Sequence, residues 1–225
     1  MSNKKQTKQD GTLENVEFAL SKTEKFIEDN QKNLTIVILA LVIVVAGFWA
    51  YKRLYQQPLE TKAQKEVFFA QIYFERDSFN LAVNGDGINP GFLDIIDEYG
   101  STKVGKLSRY YTGISYLQLG QYNDAIKYLE KFSTKEPQLK AISLGAIGDC
   151  YSELGNKNEA IKWYAKSVAI DDDITTPFYL FKQGLLFEQS GEKEKALKAY
   201  QTIKDKYKES TEARQIDKYI TRISL

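Results

Sequence analysis

GISYLQLGQYNDAIKYLEKF, residues 113–132, opens a pattern that returns twice further along the chain. Four columns of residues keep one spacing, of 35 and then 36 residues. The columns are Gly113, Gly148 and Gly184; Gly120, Gly155 and Gly191; Ala125, Ala160 and Ala196; and Leu129, Tyr164 and Tyr200. A period of this length is typical of a chain built from stacked structural repeats.

The repeated residues predict a hairpin of two helices. We expect Gly113 and Ala125 on facing helices, where small side chains let the two backbones approach closely. Gly120 is expected at the turn, where a left-handed backbone conformation is readily adopted only by glycine. The aromatic residues Tyr116 and Tyr151 would fill the space between helices. Because one hairpin cannot bury its apolar face alone, the sequence predicts an all-α solenoid of stacked hairpins.

This spacing resembles the tetratricopeptide repeat (TPR) family, whose pattern of about 34 residues has small residues at its eighth and twentieth positions. The resemblance implies a right-handed helical solenoid over residues 60–225. Its parts would be a degenerate unit at 63–105, repeats at 106–139, 141–176 and 177–210, and a capping helix at 211–223. The loop NGDGINPG, residues 84–91, interrupts the degenerate unit. The closing proline of the family pattern is present at Pro137 and missing near Asp172.

An uncharged stretch precedes the repeats, between Lys32 and Lys52. Its 19 residues would span about 28 Å as a helix, close to the roughly 30 Å of a bilayer core. Trp49, Tyr51 and Arg53 at its end suit the lipid headgroup level. We therefore predict one transmembrane helix at residues 33–55.

The arm of residues 1–32 has its own pattern. Apolar residues recur at helical spacing among acidic ones, which predicts an amphipathic helix. They are Leu13, Val16, Leu20, Phe26 and Ile27. Two roles stay open for this helix: lying on the membrane surface, or docking a membrane partner. Basic residues near the two ends of the transmembrane stretch are almost equal in number, so charge leaves the topology open.

Composition excludes several functions. The chain has no histidine and a single cysteine, Cys150, so it lacks the usual general base and the usual ligands of zinc. The 31 basic and 30 acidic residues nearly cancel, which argues against nucleic acid as a partner. The run Asp171–Asp173 lacks the glycine and distal glutamate of a calcium loop and is interpreted as a turn or helix terminus. We predict no enzyme activity, catalytic residue, cofactor, metal or small-molecule substrate.

The TPR resemblance also implies a concave groove lined by the first helix of each hairpin. The candidate groove residues are Tyr110, Ile114 and Leu117; Asp149, Ser152 and Glu153; and Phe181, Leu185 and Glu188. Their apolar and acidic mixture favours an apolar protein segment with some basic character. Some TPR proteins grip a terminal carboxylate with lysine and asparagine, but those positions hold other residues here, including Gly145.

The order of segments resembles the YfgM-like TPR proteins of Gram-negative inner membranes. TEKFIEDNQK, one anchor, AQIYFERDSFNLAVNGDG, GFLDIIDEYG and the repeats carry this similarity. It implies a cytoplasmic amino terminus, a periplasmic TPR domain, and an accessory role in protein secretion. The implied partners are the SecYEG translocon and the membrane-anchored chaperone PpiD, within the periplasmic chaperone network. The alternative is a cytosol-facing TPR adaptor that recruits a soluble partner to the membrane.

Overall fold

The computed structural model describes the backbone from Asn3 and the side chains from Glu24 to Leu225. The chain divides into two compact units, Met1–Pro58 and Leu59–Leu225. Every regular element within the described residues is helical, and none is a strand. This confirms the predicted all-α class.

The first unit is dominated by the long helix α1 (Asn3–Tyr51). The arm and the predicted transmembrane segment are therefore parts of one helix. Within the described residues one helix is long and apolar enough to cross a membrane, and the apolar side chains between Ile36 and Trp49 are more than half exposed. Most of the predicted amphipathic face of the arm falls on residues 1–23, which lie outside the described side chains.

A π turn at Lys52–Gln56 follows α1, so regular α-helix ends within the predicted span of 33–55. Pro58 explains this turn, because proline has no backbone N–H and its ring clashes with the carbonyl four residues earlier. The N–H of Gln57 donates to the carbonyl of Lys52, five residues back, which inserts one extra residue into the turn. Helix α2 (Gln57–Glu66) continues from there.

The second unit begins at Leu59, within α2, and continues into the degenerate repeat, which contains α3 (Phe68–Glu75), α4 (Phe79–Asn84) and α5 (Phe92–Tyr99). Ala70 and Ala82 are both fully buried, and they keep the small–small spacing of the later repeats. Asp77 stands where those repeats have a turn glycine, and it adopts the same left-handed backbone with φ +56°. The degenerate unit therefore keeps the spacing of the later repeats at its turn as well as at its two small residues.

The loop that interrupts this unit is held by its own hydrogen bonds. The Asp86 carboxylate accepts from the N–H groups of Ile88 (2.8 Å) and Asn89 (2.6 Å), and from the Tyr73 hydroxyl (2.5 Å). These bonds, those of Asn89 first, hold the pKa of Asp86 well below its usual range. Helix α5, which buries Phe92, Ile95 and Tyr99, then starts directly after Gly91.

Three hairpins follow, each made of two packed helices. They are α6 (Lys103–Gln118) with α7 (Tyr122–Glu130), α8 (Pro137–Glu153) with α9 (Lys157–Val168), and α10 (Thr175–Gln189) with α11 (Lys193–Lys206). All three turn glycines have φ between +74° and +76°, as the column of Gly120 predicted. Each hairpin also contacts the next, which produces the solenoid.

Close helix approach explains the first glycine column. A Cβ atom on Gly113 would lie 2.5 Å from Leu129 Cγ and 3.2 Å from the Ala125 carbonyl oxygen. The corresponding positions of Gly148 and Gly184 face tyrosine rings at 2.6 and 2.4 Å. The glycine therefore makes room mainly for the large residue of the fourth column.

The first helix of each hairpin begins before the predicted unit boundaries of 106, 141 and 177. Helix α6 begins early because the Glu60 carboxylate accepts from the Lys103 N–H (2.7 Å) and Thr102 Oγ1 accepts from the Gly105 N–H (2.9 Å). Pro137 opens α8 at a position where its missing N–H costs nothing, so it does not close the preceding repeat. The repeated small residues indicate where helices pack together. The helix ends depend instead on these capping groups, which the repeat pattern does not include.

The capping helix also differs from its predicted bounds of 211–223. A short 3₁₀ turn (Ala213–Gln215) comes first, and α12 (Ile216–Ser224) follows it. The turn starts where Ser210 Oγ accepts from the Ala213 N–H at 3.1 Å. Ile216 and Ile223 of α12 are buried against Tyr200 and Ile203 of α11, which closes the hydrophobic core of the last hairpin.

Candidate partner-binding groove

A cleft of about 390 Å³ lies across the first helices of the three hairpins. Five of the nine predicted groove residues line it, together with residues that the sequence did not single out. The predicted ones are Leu117, Asp149, Ser152, Glu153 and Leu185, and the added ones are Gln118, Tyr122, Tyr164, Lys182, Leu186 and Gln189. The cleft therefore has leucines, hydroxyl and amide groups, and a small number of charges.

The Asp149 carboxylate organises this cleft. Its Oδ1 accepts from Lys182 Nζ at 2.7 Å and from the Tyr164 hydroxyl at 2.6 Å. Burial, with the negative charge of Asp149 next, raises the pKa of Tyr164 and keeps this hydroxyl a donor. The bonds of Asp149 therefore connect α8 with Tyr164 on α9 and Lys182 on α10, and the Lys182 ammonium neutralises the carboxylate.

Glu153 is the exposed carboxylate at the edge of the cleft. Its Oε2 accepts from the Tyr122 hydroxyl at 3.4 Å, a long contact between the second hairpin and the first. No ion pair forms at Glu153 among the described residues. The negative charge available to a partner in the cleft therefore comes from Glu153, and the predicted contribution of Asp149 is cancelled by Lys182.

Tyr110 and Ile114 do not line this cleft. The Tyr110 ring packs on Tyr111 and Phe132, with centroid distances of 5.5 and 5.4 Å. Ile114 packs against the core shared by α7 and α8. Both side chains are half-buried and stabilise the contact between the first and second hairpins.

Phe181 and Glu188 contact the capping helix α12. Phe181 meets the Tyr219 ring edge to face at 4.8 Å, and Glu188 Oε2 accepts from Arg222 (2.7 Å) and from the Tyr200 hydroxyl (3.1 Å). The capping helix thus uses two positions that were predicted for a partner. The cleft therefore keeps five of the nine predicted groove residues and extends beyond them to residues such as Lys182 and Tyr122.

The position of Gly145 shows that the carboxylate grip of other TPR proteins does not fit here. A Cβ on Gly145 would lie 2.0 Å from the ring of Tyr179, whose hydroxyl donates to the Ile142 carbonyl at 3.3 Å. A lysine or asparagine at this position would collide with that ring. The contact between Gly145 and Tyr179 therefore occupies the space in which a carboxylate-binding side chain would have to lie.

Asp171 and Asp172 are bonded within the fold, and the Cys150 thiol is buried. Asp171 Oδ1 accepts from Lys206 Nζ at 2.7 Å, while Asp172 Oδ1 accepts from the Thr175 N–H at 2.8 Å at the start of α10. Burial, followed by the charge of Asp149, raises the pKa of the Cys150 thiol to about 12, so it stays protonated. No group of three or more potential metal ligands occurs among the described residues.

Sequence comparison identifies the repeats. Residues 112–173 and 179–210 match two tetratricopeptide repeat models. These two stretches of the chain therefore consist of tetratricopeptide repeats. A search of curated protein sequences finds no significant match.

Solved structures are similar to this chain in fold. A putative kinesin light chain from Podosopora anserina, with nearly identical TPR-like repeats, has a TM-score of 0.55 at 14% identity, covering 73% of this chain and 85% of that one. The MamA protein has a TM-score of 0.53 at 19% identity, covering 73% and 90%. At such identities the likeness concerns the fold alone. TPR repeats are protein–protein interaction scaffolds, so the TPR unit is a surface for protein partners.

Proposed function

We propose that this TPR protein is a single-pass inner-membrane scaffold that holds protein partners beside the Sec translocon. Its amino terminus lies in the cytoplasm, α1 crosses the membrane, and the TPR unit lies in the periplasm. SecYEG and a PpiD-type chaperone are the proposed partners, on the basis of the YfgM-like order of segments. The observation that carries the scaffold itself is the cleft that contains Lys182 and Asp149.

The chemistry of the cleft supports a protein segment as its occupant. Leu117 and Leu185 supply apolar contact area, and Ser152, Gln118 and Gln189 supply groups that hydrogen-bond to a peptide backbone. The internally paired Asp149 adds no net charge. An aliphatic side chain flanked by one basic residue, facing Glu153, fits this surface.

Site-specific photo-crosslinking tests the proposal in intact cells. A photoreactive residue replaces Ser152, which is half-buried in the cleft, and in a matched variant it replaces Asn158, which is exposed on α9. We expect translocon subunits or a periplasmic chaperone to crosslink from position 152 and not from position 158. Equal products from both positions, or none, would contradict a partner site in the cleft.

Protease accessibility in spheroplasts tests the topology separately. A periplasmic TPR unit is cut from outside, whereas a cytosol-facing one is protected until the membrane is opened. Protection would favour the adaptor that recruits a soluble partner, and it would remove periplasmic chaperones from the proposal.

A further inference from the structure

A second cleft lies in the first unit, at the end of the uncharged stretch of α1. It has a volume of about 180 Å³ and is lined by Trp49, Lys52, Arg53 and Gln57. All four residues belong to α1, the π turn and the first residue of α2. Trp49 is 65% exposed, and Lys52 and Arg53 are exposed as well.

Helical spacing places these residues on one side of the chain. In a regular α-helix, residues three and four apart are neighbours, which holds for Trp49 with Lys52 and Arg53, and for Arg53 with Gln57. The π turn adds the bond from the Gln57 N–H to the carbonyl of Lys52, five residues back. All four residues therefore line one cleft.

The charge of the cleft is uncompensated. No aspartate or glutamate occurs between Asp29 and Glu60, and neither Lys52 nor Arg53 forms an ion pair within the described residues. Lys52 and Arg53 both line the cleft, and an ammonium and a guanidinium are donors that bind a phosphate group. A ligand with net negative charge is favoured over a zwitterion for the same reason.

The surroundings of the cleft are those of a lipid. Counting back from Lys52, the 19 uncharged residues span about 28 Å, so Lys52 and Arg53 stand at headgroup level if α1 crosses a bilayer. Leu54 is 77% exposed and Trp49 offers an apolar ring beside the cations. Tyr51 and Tyr55 stack on each other at 5.5 Å and add aromatic rings at the same level.

We propose that this cleft seats the phosphate of an anionic glycerophospholipid. The inference rests on the membrane-spanning part of the proposed function and is independent of the partner-binding groove. The lipid phosphate lies between the Lys52 ammonium and the Arg53 guanidinium, with the Trp49 ring against the glycerol and upper acyl carbons.

Trp49 fluorescence tests this seat in the full chain. The protein has two tryptophans, so a Trp163→Phe variant leaves Trp49 as the single reporter. This variant is placed in vesicles that mix phosphatidylcholine and phosphatidylglycerol, with bromine on the acyl chains of one lipid at a time. We expect brominated phosphatidylglycerol to quench Trp49 at least about twofold more than brominated phosphatidylcholine at equal content. Added inorganic phosphate should not change the ratio.

Matched charge variants separate a seat from general attraction to an anionic surface. Lys52→Gln with Arg53→Gln should bring the quenching ratio to about one, whereas Lys62→Gln with Lys65→Gln, an equal loss of charge on α2, should leave it high. An equal fall of the quenching ratio in both double variants would overturn the lipid site but not the membrane anchor. Equal quenching by the two lipids in the Trp163→Phe parent would have the same meaning. Absence of quenching by either lipid would overturn the seat together with the membrane anchor.

Discussion

Two buried hydroxyl groups in α6 stand out among single residues. Thr112 Oγ1 and Ser115 Oγ have no hydrogen-bond partner within the described part of the chain, although both side chains are fully buried. A buried, unpaired hydroxyl costs free energy because it has lost its bonds to water. These groups lower the stability of the first hairpin.

Thr112→Val should raise the free energy of unfolding by about 1 kcal/mol, since valine has the same shape and no polar atom. Thr176→Val is the matched control, because Thr176 Oγ1 accepts from the Asp172 N–H at 2.9 Å and is almost as deeply buried. We expect that variant to lose about 1 kcal/mol. Urea unfolding of both variants measures the difference, and the same sign in both would refute this explanation.

Asp171 stabilises the last hairpin in a pH-dependent way. Hydrogen bonds from Lys206 first, and then from Tyr207, hold the pKa of Asp171 below its usual range. A group whose pKa is lowered by folding stabilises the protein above its unfolded pKa of about 3.9, and this contribution is lost as the pH falls through the folded pKa.

Asp171→Asn should therefore lower the melting temperature by about 2 °C near neutral pH and have progressively less effect below about pH 4. Asparagine also tolerates the left-handed backbone of this residue, where φ is +59°, so the change isolates the charge. Melting curves from pH 7 to pH 3 measure the effect. A constant difference over this range would show that the carboxylate charge is not what stabilises the turn.

Helix pairs owe their spacing to the residues opposite each glycine. In the α6–α7 pair, Leu129 occupies the space that a side chain at position 113 would need. The pairs α8–α9 and α10–α11 use a tyrosine instead, and each tyrosine also donates a hydrogen bond to a carboxylate. One packing solution therefore accepts either an aliphatic or an aromatic residue.

Gly113→Leu should destabilise the α6–α7 hairpin by about 2–3 kcal/mol through overpacking against Leu129. Because repeats contact only their neighbours, hydrogen exchange should accelerate mainly in α6, α7 and the adjoining helices, and least in α12. Asn123→Leu, at an exposed position of α7, is the control. Unchanged melting and exchange in Gly113→Leu would refute the assigned register.

The whole molecule combines a candidate membrane helix with a TPR unit whose first helices carry the cleft beside Asp149. The carboxylate of Asp149 and the ammonium of Lys182 form an ion pair in this cleft and together add no net charge to it. Binding energy there must come largely from apolar anchors, since a neutralised pair offers little attraction to a partner.

Leu117→Gln combined with Leu185→Gln should weaken partner binding to the full chain at least about tenfold, because a buried apolar anchor would meet amides. Leu144→Gln, in a separate cavity of about 480 Å³ beside Trp163, serves as the control and should bind normally. Recovery of translocon subunits or chaperone from detergent extracts measures the loss. If Leu144→Gln is the variant that loses binding, the partner uses that other cavity.

The regular spacing of small and aromatic residues was enough to predict the hairpins, their turns and their stacking. Gly120 and its equivalents predict the turns because few residues other than glycine adopt a left-handed backbone. The repeated small residues, such as Gly113 and Ala125, predict the helix contacts because they recur once in every hairpin. Each hairpin is formed by residues that are close together in the sequence, so a short stretch of sequence is enough to predict it.

The contents of the groove depended on the tertiary structure. Lys182 and Asp149 are 33 residues apart, and Arg222 and Glu188 are 34 apart, on different helices. Their pairing depends on how hairpins and the capping helix stack, which no column of the repeat records. The π turn before Pro58 likewise brings Lys52 and Gln57 together against ordinary helical spacing. Periodicity determined the architecture, and long-range side-chain contacts decided which parts of the surface remain open to a partner.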